Sequence, residues 1–224
     1  MLGAVIFDFD GVITDSEILH LQAFNRALAP YGTQISRQDY YKHYLGLTDV
    51  ELLKQLAEHG HIKPASIEKL ARDKKHIFES LVRTKADIID GVRDLLFRLR
   101  QANVPMAICS GALAAEIELV LENARLRDFF AVIVSAEQVP RGKPAPDGFL
   151  LTLEKLNRSG FGPLTADRCV VIEDSHWGID AARAAGMHTV AVTNSYPPDQ
   201  LADAEIIIDR LDHLTIEQLH ELCA

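Results

Sequence analysis

The sequence predicts an α/β protein with a doubly wound, mostly parallel sheet and an inserted α-helical domain. Three observations lead to this fold class. Short, continuous apolar runs recur along the chain, as expected of strands buried on both faces of a parallel sheet. Patterns typical of amphipathic helices separate these runs, and one long early stretch contains helical patterns alone. A chain of 224 residues, 48% of them hydrophobic, can bury such a core.

The first predicted strand is the apolar run Ala4-Val5-Ile6-Phe7, which ends directly before an acidic cluster. Later runs alternate with apolar residues at helical spacing, and this alternation predicts right-handed strand–helix–strand crossovers. The further predicted strands are 104–109, 131–134, 169–172, 189–192 and a weaker 205–208, and the helical patterns are 92–99, 117–121, 149–156 and 179–183.

The stretch from residue 15 to residue 86 breaks the alternation, because helical periodicity replaces the strand pattern there. Three apolar helical faces lie at 19–28, 52–56 and 67–81. We therefore predict a core domain of residues 1–14 and 87–224 and a helical cap domain of residues 15–86. Ligands of open α/β sheets bind at the carboxyl ends of the strands, so an insert leaving the first strand is expected to act as a lid.

Charge and composition narrow the classes of function. A net charge of -9, from 32 acidic and 23 basic residues, disfavours a nucleic-acid partner. Three scattered cysteines fit neither a disulfide framework nor a zinc cluster, and no apolar run approaches the ~18 residues of a membrane helix. The N-terminus does not resemble a signal peptide. We expect a cytoplasmic protein, monomeric by default, without a membrane partner.

The first candidate cluster is Asp8-Phe9-Asp10-Gly11, directly after the first predicted strand. Alternation along an extended backbone puts Asp8 and Asp10 on one side. Two such carboxylates repel each other unless a cation lies between them or one is protonated, which indicates a metal site or an acid/base pair. The alternative is a plain capped turn, in which Gly11 permits the sharp bend.

The second and third clusters fit the binding of a phosphate group. Ser110 and Gly111 follow a predicted strand, where a hydroxyl and backbone amides can bond phosphate oxygens; the alternative is that Ser110 caps the next helix. Lys143 lies in Gly142-Lys143-Pro144-Ala145-Pro146-Asp147, whose two prolines stiffen the backbone. A lysine held in this way can neutralise a phosphate, although a proline-rich turn into a helix is an equal alternative.

The fourth cluster is Glu173-Asp174-Ser175, directly after a buried predicted strand. Magnesium prefers a few carboxylate oxygens together with water and substrate phosphate, so these carboxylates favour a magnesium site. The alternative is an acidic helix start, with Asp174 or Ser175 as the cap.

In this order and at these strand ends, the four clusters resemble the motifs of the haloacid dehalogenase superfamily. The resemblance extends over nearly the whole chain and includes Gly178 and the alanine-rich stretch 181–187. The segments 10–16 and 143–147 are most similar to the β-phosphoglucomutase-like branch, which carries a helical cap.

The resemblance implies a mechanism. Asp8 would attack phosphorus and form an aspartyl-phosphate, and Asp10 would protonate the leaving oxygen and then activate water. Mg²⁺ would be held by Asp8, the Asp10 backbone carbonyl and Asp174, with Glu173 left open as a direct ligand. The substrate would be a small phosphorylated metabolite.

Ser110, Gly111 and Lys143 would hold the phosphate oxygens in that mechanism. Asp10 argues against the dehalogenase and phosphonatase branches, which lack an aspartate two residues after the nucleophile.

Phosphatase and mutase remain alternatives. In β-phosphoglucomutases basic residues stand where this chain has Leu45, Asp49 and Leu113, so we expect weak binding of a second phosphate and favour hydrolysis. His20 matches a hinge histidine of the branch, with a partly exposed helix histidine as the alternative. A third reading, from another class, is an inactive binding module on the same scaffold.

Overall fold

A computed structural model describes residues 1–44, 47–85 and 88–224. The chain forms two compact units. The first comprises Met1–Asp15 and Asp87–Ala224, and the second comprises Ser16–Ala86. Among the described residues, no helix combines the length and the apolarity needed to cross a bilayer.

The first unit is built on one six-stranded sheet in which every neighbouring pair of strands is parallel. This confirms the predicted fold class. The spatial order is β3-β2-β1-β4-β5-β6. The strands are β1 (Ala4–Phe7), β2 (Met106–Cys109), β3 (Val132–Val134), β4 (Cys169–Glu173), β5 (His188–Val192) and β6 (Ile206–Ile208).

The order of the strands places a crevice beside β1. The chain leaves β1 towards β2 and β3 on one side, and later returns to place β4 on the other side. Such a reversal of strand order opens a crevice at the carboxyl ends of the two central strands, where open α/β sheets bind their ligands. Phe7 is in register with Ile172, so β1 and β4 end side by side.

Among the described residues of the second unit, every element of secondary structure is a helix, and loops connect these helices. Thr48 caps one of its helices through a reciprocal capping box with Glu51, as the sequence Thr48-Asp49-Val50-Glu51 allows. Apolar residues from all three longer helices form a separate buried cluster that includes Phe24, Leu53 and Leu70. The α-helices are α1 (Ser16–Leu28), α2 (Arg37–Asp39), α3 (Asp49–Glu58) and α4 (Ile67–Lys85), with a π-helical segment at Tyr40–Tyr44.

The remaining α-helices belong to the first unit and lie between or after its strands. Their buried faces carry the residues that the helical periodicity predicts, such as Leu95, Val120 and Phe149. Every residue of β1 and β4 is buried, so the core passes directly under the carboxyl ends of these two strands. The helices are α5 (Val92–Gln101), α6 (Ala114–Ala124), α7 (Asp147–Leu156), α8 (His176–Ala184) and α9 (Ile216–Leu222).

Candidate active site

Three buried carboxylates meet at the crevice between β1 and β4. Asp8 follows β1, Glu173 ends β4 and Asp174 comes directly after it. The structure brings one oxygen of each carboxylate within 4.8 Å of the others. The amide of Asp8 donates to the carbonyl of Ile172 at 2.9 Å, which continues the pairing of the two strands past the end of β1. The sheet itself therefore fixes where these carboxylates lie.

Lys143 enters the same cluster from the loop that precedes α7. Its ammonium group donates to Asp8 Oδ1 and to Glu173 Oε1. The loop is closed by Arg141, which makes two hydrogen bonds with the carboxylate of Asp147, at 3.1 and 2.9 Å. Burial by itself would lower the pKa of Lys143, but the carboxylates of Asp8 and Glu173 outweigh it and raise the pKa. Lys143 is therefore a fixed positive charge.

Burial and mutual repulsion act on the carboxylates. Burial raises the pKa of Asp8 to about 7, and the charges of Glu173 and Asp10 add to this while Lys143 opposes it. Burial also raises the pKa of Asp174 well above its usual range, again with a contribution from Glu173. A carboxylate cluster of this kind is poised to take up either protons or a metal cation.

Both carboxylate oxygens of Glu173 accept hydrogen bonds, Oε1 from Lys143 and Oε2 from the residues that follow Glu173. Oε2 accepts hydrogen bonds from the amides of Asp174 and Ser175 and from the Ser175 hydroxyl, at 2.9 to 3.0 Å. Gly178 of α8 packs directly against this carboxylate, because a Cβ atom at that position would overlap it. The Ser175 hydroxyl in turn accepts from the Gly178 amide at 3.1 Å and caps α8, as one sequence alternative predicted.

Asp10 is half-buried and lies in a tight turn after the strand. The Gly11 amide donates to the Thr14 carbonyl at 2.8 Å, and Gly11 adopts φ +79°, which favours glycine. The negative charge of Asp10 contributes to the raised pKa of Asp8, so the two carboxylates interact electrostatically.

Ser110 and Gly111 follow β2 and line a cavity of about 440 Å³ together with Lys143. Ser110 does not cap α6, whose N-cap is Leu113, so that sequence alternative is wrong. Instead the Ser110 hydroxyl accepts from the amide of Ala112 at 3.0 Å. Gly111 is exposed and would leave open space around a Cβ atom, which suits a position that a ligand approaches.

The charges of the cluster fit a divalent metal ion. Asp8, Glu173 and Asp174 provide three carboxylates, and Lys143 provides one ammonium group against them. When all three carboxylates are ionised, two negative charges remain uncompensated within the cluster. Because isolated buried charge is costly, a cation with hard-oxygen preference such as Mg²⁺ would stabilise this arrangement.

Two of the predicted residues of the helical unit, His20 and Asp49, surround a buried lysine. His20 and Asp49 both contact Lys74 of α4, whose side chain is 1% exposed. Lys74 Nζ is 2.6 Å from Asp49 Oδ1 and 2.7 Å from His20 Nδ1. Burial and the Lys74 charge hold the pKa of His20 well below its usual range, so its imidazole is neutral and accepts from Lys74. Leu45, the third residue predicted there, lies outside the described residues.

Lys74, which lies 25 residues away in the sequence, pairs with Asp49 and compensates its negative charge. Lys74 was not predicted from the sequence, although the sequence contains a signal for it. Leu70, Lys74 and Phe78 recur every four residues and share one face of α4, so Lys74 lies on the apolar stripe. Its ammonium group lies 4.9 Å from the ring centre of Phe24 and 5.0 Å from that of Phe78.

Two residues of the first unit, Asn194 and Ser195, were likewise not predicted from the sequence. Ser195 donates to Asp174 Oδ2, and Asn194 Nδ2 donates to the carbonyl of Gly11 at 2.7 Å. Both come shortly after β5, at the same edge of the sheet as the carboxylates. A polar pair after a predicted strand end was the available signal.

Comparison with known proteins identifies one matching family, and the relatives include a phosphatase and a phosphoglucomutase. The model of the haloacid dehalogenase-like hydrolase family matches residues 5–192. The phosphorylated carbohydrates phosphatase of Thermotoga maritima is 32% identical over 191 residues, covering 84% of this chain and 83% of that protein. The β-phosphoglucomutase of Bacillus subtilis is 30% identical, covering 97% of this chain and 94% of its own length.

A solved structure of CbbY from Rhodobacter sphaeroides, in complex with xylulose 1,5-bisphosphate, has the same fold. It is 25% identical to this chain, with a TM-score of 0.83, and the match covers 98% of this chain and 99% of that one.

We predict that Gly178→Ala destabilises the protein, although alanine favours helices over glycine by ~1 kcal/mol. The new Cβ would overlap the Glu173 carboxylate, which its donors hold in place. Overpacking of this kind costs about 1–3 kcal/mol, which urea unfolding would measure. Gly142→Ala is the matched control, because a Cβ there meets open space. A Gly178→Ala protein as stable as its parent would contradict the packing described here.

We predict that Asp49→Ala lowers the free energy of unfolding by about 1.5–3 kcal/mol, because Lys74 loses its charged partner in a buried position. Asp73→Ala is the control: it breaks an exposed pair with Lys69, a contact worth about 0.3–0.5 kcal/mol. Adding Lys74→Met to Asp49→Ala should restore stability, since no buried charge is then left. Equal effects of Asp49→Ala and Asp73→Ala in denaturant titrations would contradict this assignment.

Proposed function

This chain belongs to the haloacid dehalogenase-like hydrolases, and on that premise we propose that it is a magnesium-dependent phosphatase acting through an aspartyl-phosphate on Asp8. The observation that carries the proposal is that Asp8 accepts a hydrogen bond from Lys143 and has a carboxylate oxygen within 4.8 Å of a carboxylate oxygen of the buried Asp174. A nucleophilic carboxylate, a cation to neutralise phosphate and a site for a metal are the groups that phosphoryl transfer needs.

The proposed reaction has two halves. An Asp8 oxygen attacks phosphorus while the bond from phosphorus to the leaving oxygen breaks, and Asp10 gives its proton to that oxygen. Water then attacks the aspartyl-phosphate, Asp10 takes a proton from the water, and inorganic phosphate leaves with Asp8 restored. The charge of Asp10 helps to raise the pKa of Asp8, and this interaction between the two carboxyl groups supports the division of roles.

We assign the metal to Asp8, the backbone carbonyl of Asp10 and Asp174. Bound there, Mg²⁺ would neutralise charge on the phosphate and on the carboxylates. Glu173 is a further candidate ligand, but the donors on both of its oxygens favour a role in holding Lys143.

Ser110, Gly111 and Lys143 are the proposed ligands of the phosphate oxygens. Their support is the cavity that all three line and the fixed positive charge of Lys143. Charge neutralisation and positioning supply most of the rate acceleration in phosphoryl transfer, so we expect these contacts to contribute to the rate.

We propose a phosphorylated sugar or a similar small metabolite as the substrate. The relatives named above are a phosphatase of phosphorylated carbohydrates and a phosphoglucomutase, and the neighbouring structure holds a sugar bisphosphate. From the sequence we further propose that the metal is magnesium and that residues 15–86 form the cap. We also propose, from the sequence, a cytoplasmic location and a monomeric state.

A β-phosphoglucomutase is the second candidate, because the Bacillus subtilis enzyme aligns over nearly the whole chain. Hydrolysis is favoured because Leu45, Asp49 and Leu113 stand where the mutases carry basic residues. Lys74 pairs with Asp49, so the preference rests on the missing basic residues and not on repulsion by Asp49. Release of inorganic phosphate from a panel of sugar phosphates supports the phosphatase, whereas exchange between sugar 1- and 6-phosphates without release supports the mutase. If the protein shows neither activity, the remaining candidate is the inactive binding module.

We predict that Asp8→Asn abolishes the Mg²⁺-dependent release of p-nitrophenol from p-nitrophenyl phosphate while the protein stays folded. The amide keeps the shape of the side chain but is a poor nucleophile and a poor metal ligand. Circular dichroism would check the fold, and Asp128→Asn, at an exposed position, is the control. Activity of Asp8→Asn close to that of the parent would refute the proposed nucleophile.

We predict that Asp10→Asn lowers kcat by at least about 100-fold, since general acid/base catalysis contributes roughly 10²–10⁴-fold. The backbone carbonyl remains, so the affinity for Mg²⁺ should change little. Steady-state kinetics and calorimetric titration with Mg²⁺ measure the two quantities separately. Loss of Mg²⁺ binding would mean that the Asp10 side chain is a ligand and not the proton carrier.

A further inference from the structure

We infer that Asn194 and Ser195 are positioning residues that hold the metal-binding groups of this site in place. The inference rests on the metal part of the proposed function and adds two residues to it. Neither residue is assigned to the four motif clusters, and both act on groups that those clusters supply.

Ser195 acts on Asp174. Its hydroxyl donates to Oδ2 of that carboxylate. A carboxylate has two oxygens, so a donor fixed on one of them sets the plane of the group and leaves the other oxygen for a cation. Mg²⁺ demands a nearly ideal arrangement of ligands, and a carboxylate that rotates freely satisfies this demand poorly.

Asn194 acts on the turn after the first strand. Its Nδ2 donates at 2.7 Å to the carbonyl of Gly11, the residue that follows Asp10. The Asp10 carbonyl is a proposed metal ligand, and the hydrogen bond restrains the next peptide group. A Cβ atom on Gly11 would overlap the Asp174 carboxylate and approach Ser195 Oγ at 2.9 Å. The turn, Asp174 and Ser195 are thus packed in direct contact.

The sheet holds the loop that carries the pair. Strand β5 lies beside β4, with Ala191 in register with Glu173, so the loops after both strands leave the same edge. The amide of Thr193 donates to the carbonyl of Ile208 at 3.0 Å, which extends the pairing with β6 up to the residue before Asn194. Asn194 and Ser195 therefore reach the site from a tethered segment.

These hydrogen bonds also satisfy a buried carboxylate and a backbone carbonyl, which would matter for folding even without a metal. The two roles differ in what a variant loses. A purely structural role lowers the stability of the metal-free protein and leaves its affinity for Mg²⁺ unchanged. A positioning role weakens Mg²⁺ binding whether or not stability changes.

The test is calorimetric titration of the full chain with MgCl₂ in the absence of substrate, alongside thermal unfolding in EDTA. Ser195→Ala should raise the Kd for Mg²⁺ by about 10–100-fold, the usual effect of removing a group that orients a metal ligand. Ser195→Thr keeps the hydroxyl and should bind Mg²⁺ nearly as the parent does. Asn194→Ala should weaken binding in the same direction.

Ser159→Ala is the matched control, since it removes a serine hydroxyl that bonds the Lys155 carbonyl beyond the end of α7. Unchanged Mg²⁺ affinity in Ser195→Ala, with or without a lower melting temperature, would overturn the inference. So would a parent protein that does not bind Mg²⁺. Affinities that follow the prediction in a protein that hydrolyses no phosphate ester would uphold the positioning role and refute the phosphatase.

Discussion

The candidate site depends on one buried interaction, the contact of the Lys143 ammonium group with the carboxylates of Asp8 and Glu173. Carboxylates gathered in a buried crevice destabilise a fold unless their charge is compensated. Lys143 compensates part of that negative charge, and the carboxylate of Asp174 increases the negative charge that is left uncompensated. The sheet can therefore hold this cluster, yet the cluster stays negative enough to attract a cation. The incomplete balance that the fold tolerates would also favour binding of a metal ion.

The helical unit solves a similar problem with the signs reversed. Its buried charge is the ammonium group of Lys74, which a carboxylate, a neutral imidazole and two aromatic rings surround. His20 stacks on Phe78 with ring centres 4.0 Å apart, so the imidazole also serves as packing. Removing the carboxylate would leave the ammonium group without its charged partner, and removing a ring would open a cavity beside it. The interior of this unit is therefore less tolerant of substitution than its composition implies.

Much of the architecture could be predicted from the sequence because continuous apolar runs identify buried strands, and strand ends collect polar groups at one edge. The predicted start of the second strand at Val104 was two residues early, since Pro105 has no amide hydrogen for the ladder. The positions of Lys74 and Ser195 could not be derived with the same ease. The burial of Lys74 depends on partners from α1 and α3, distant in sequence, and a serine after a strand is common without such a role.

The hydrogen bond from the Asp8 amide to Ile172 ties the backbone of the proposed nucleophile to the centre of the sheet. Central strands belong to the cooperative unit of a domain that opens last, with the free energy of global unfolding, whereas loops open locally at far lower cost. The backbone of Asp8 thus opens only when the sheet opens, whereas Lys143, Asn194 and Ser195 lie on loops outside the strands. In evolution, the loop residues around the proposed reactive centre can therefore be substituted while the backbone of Asp8 keeps its position.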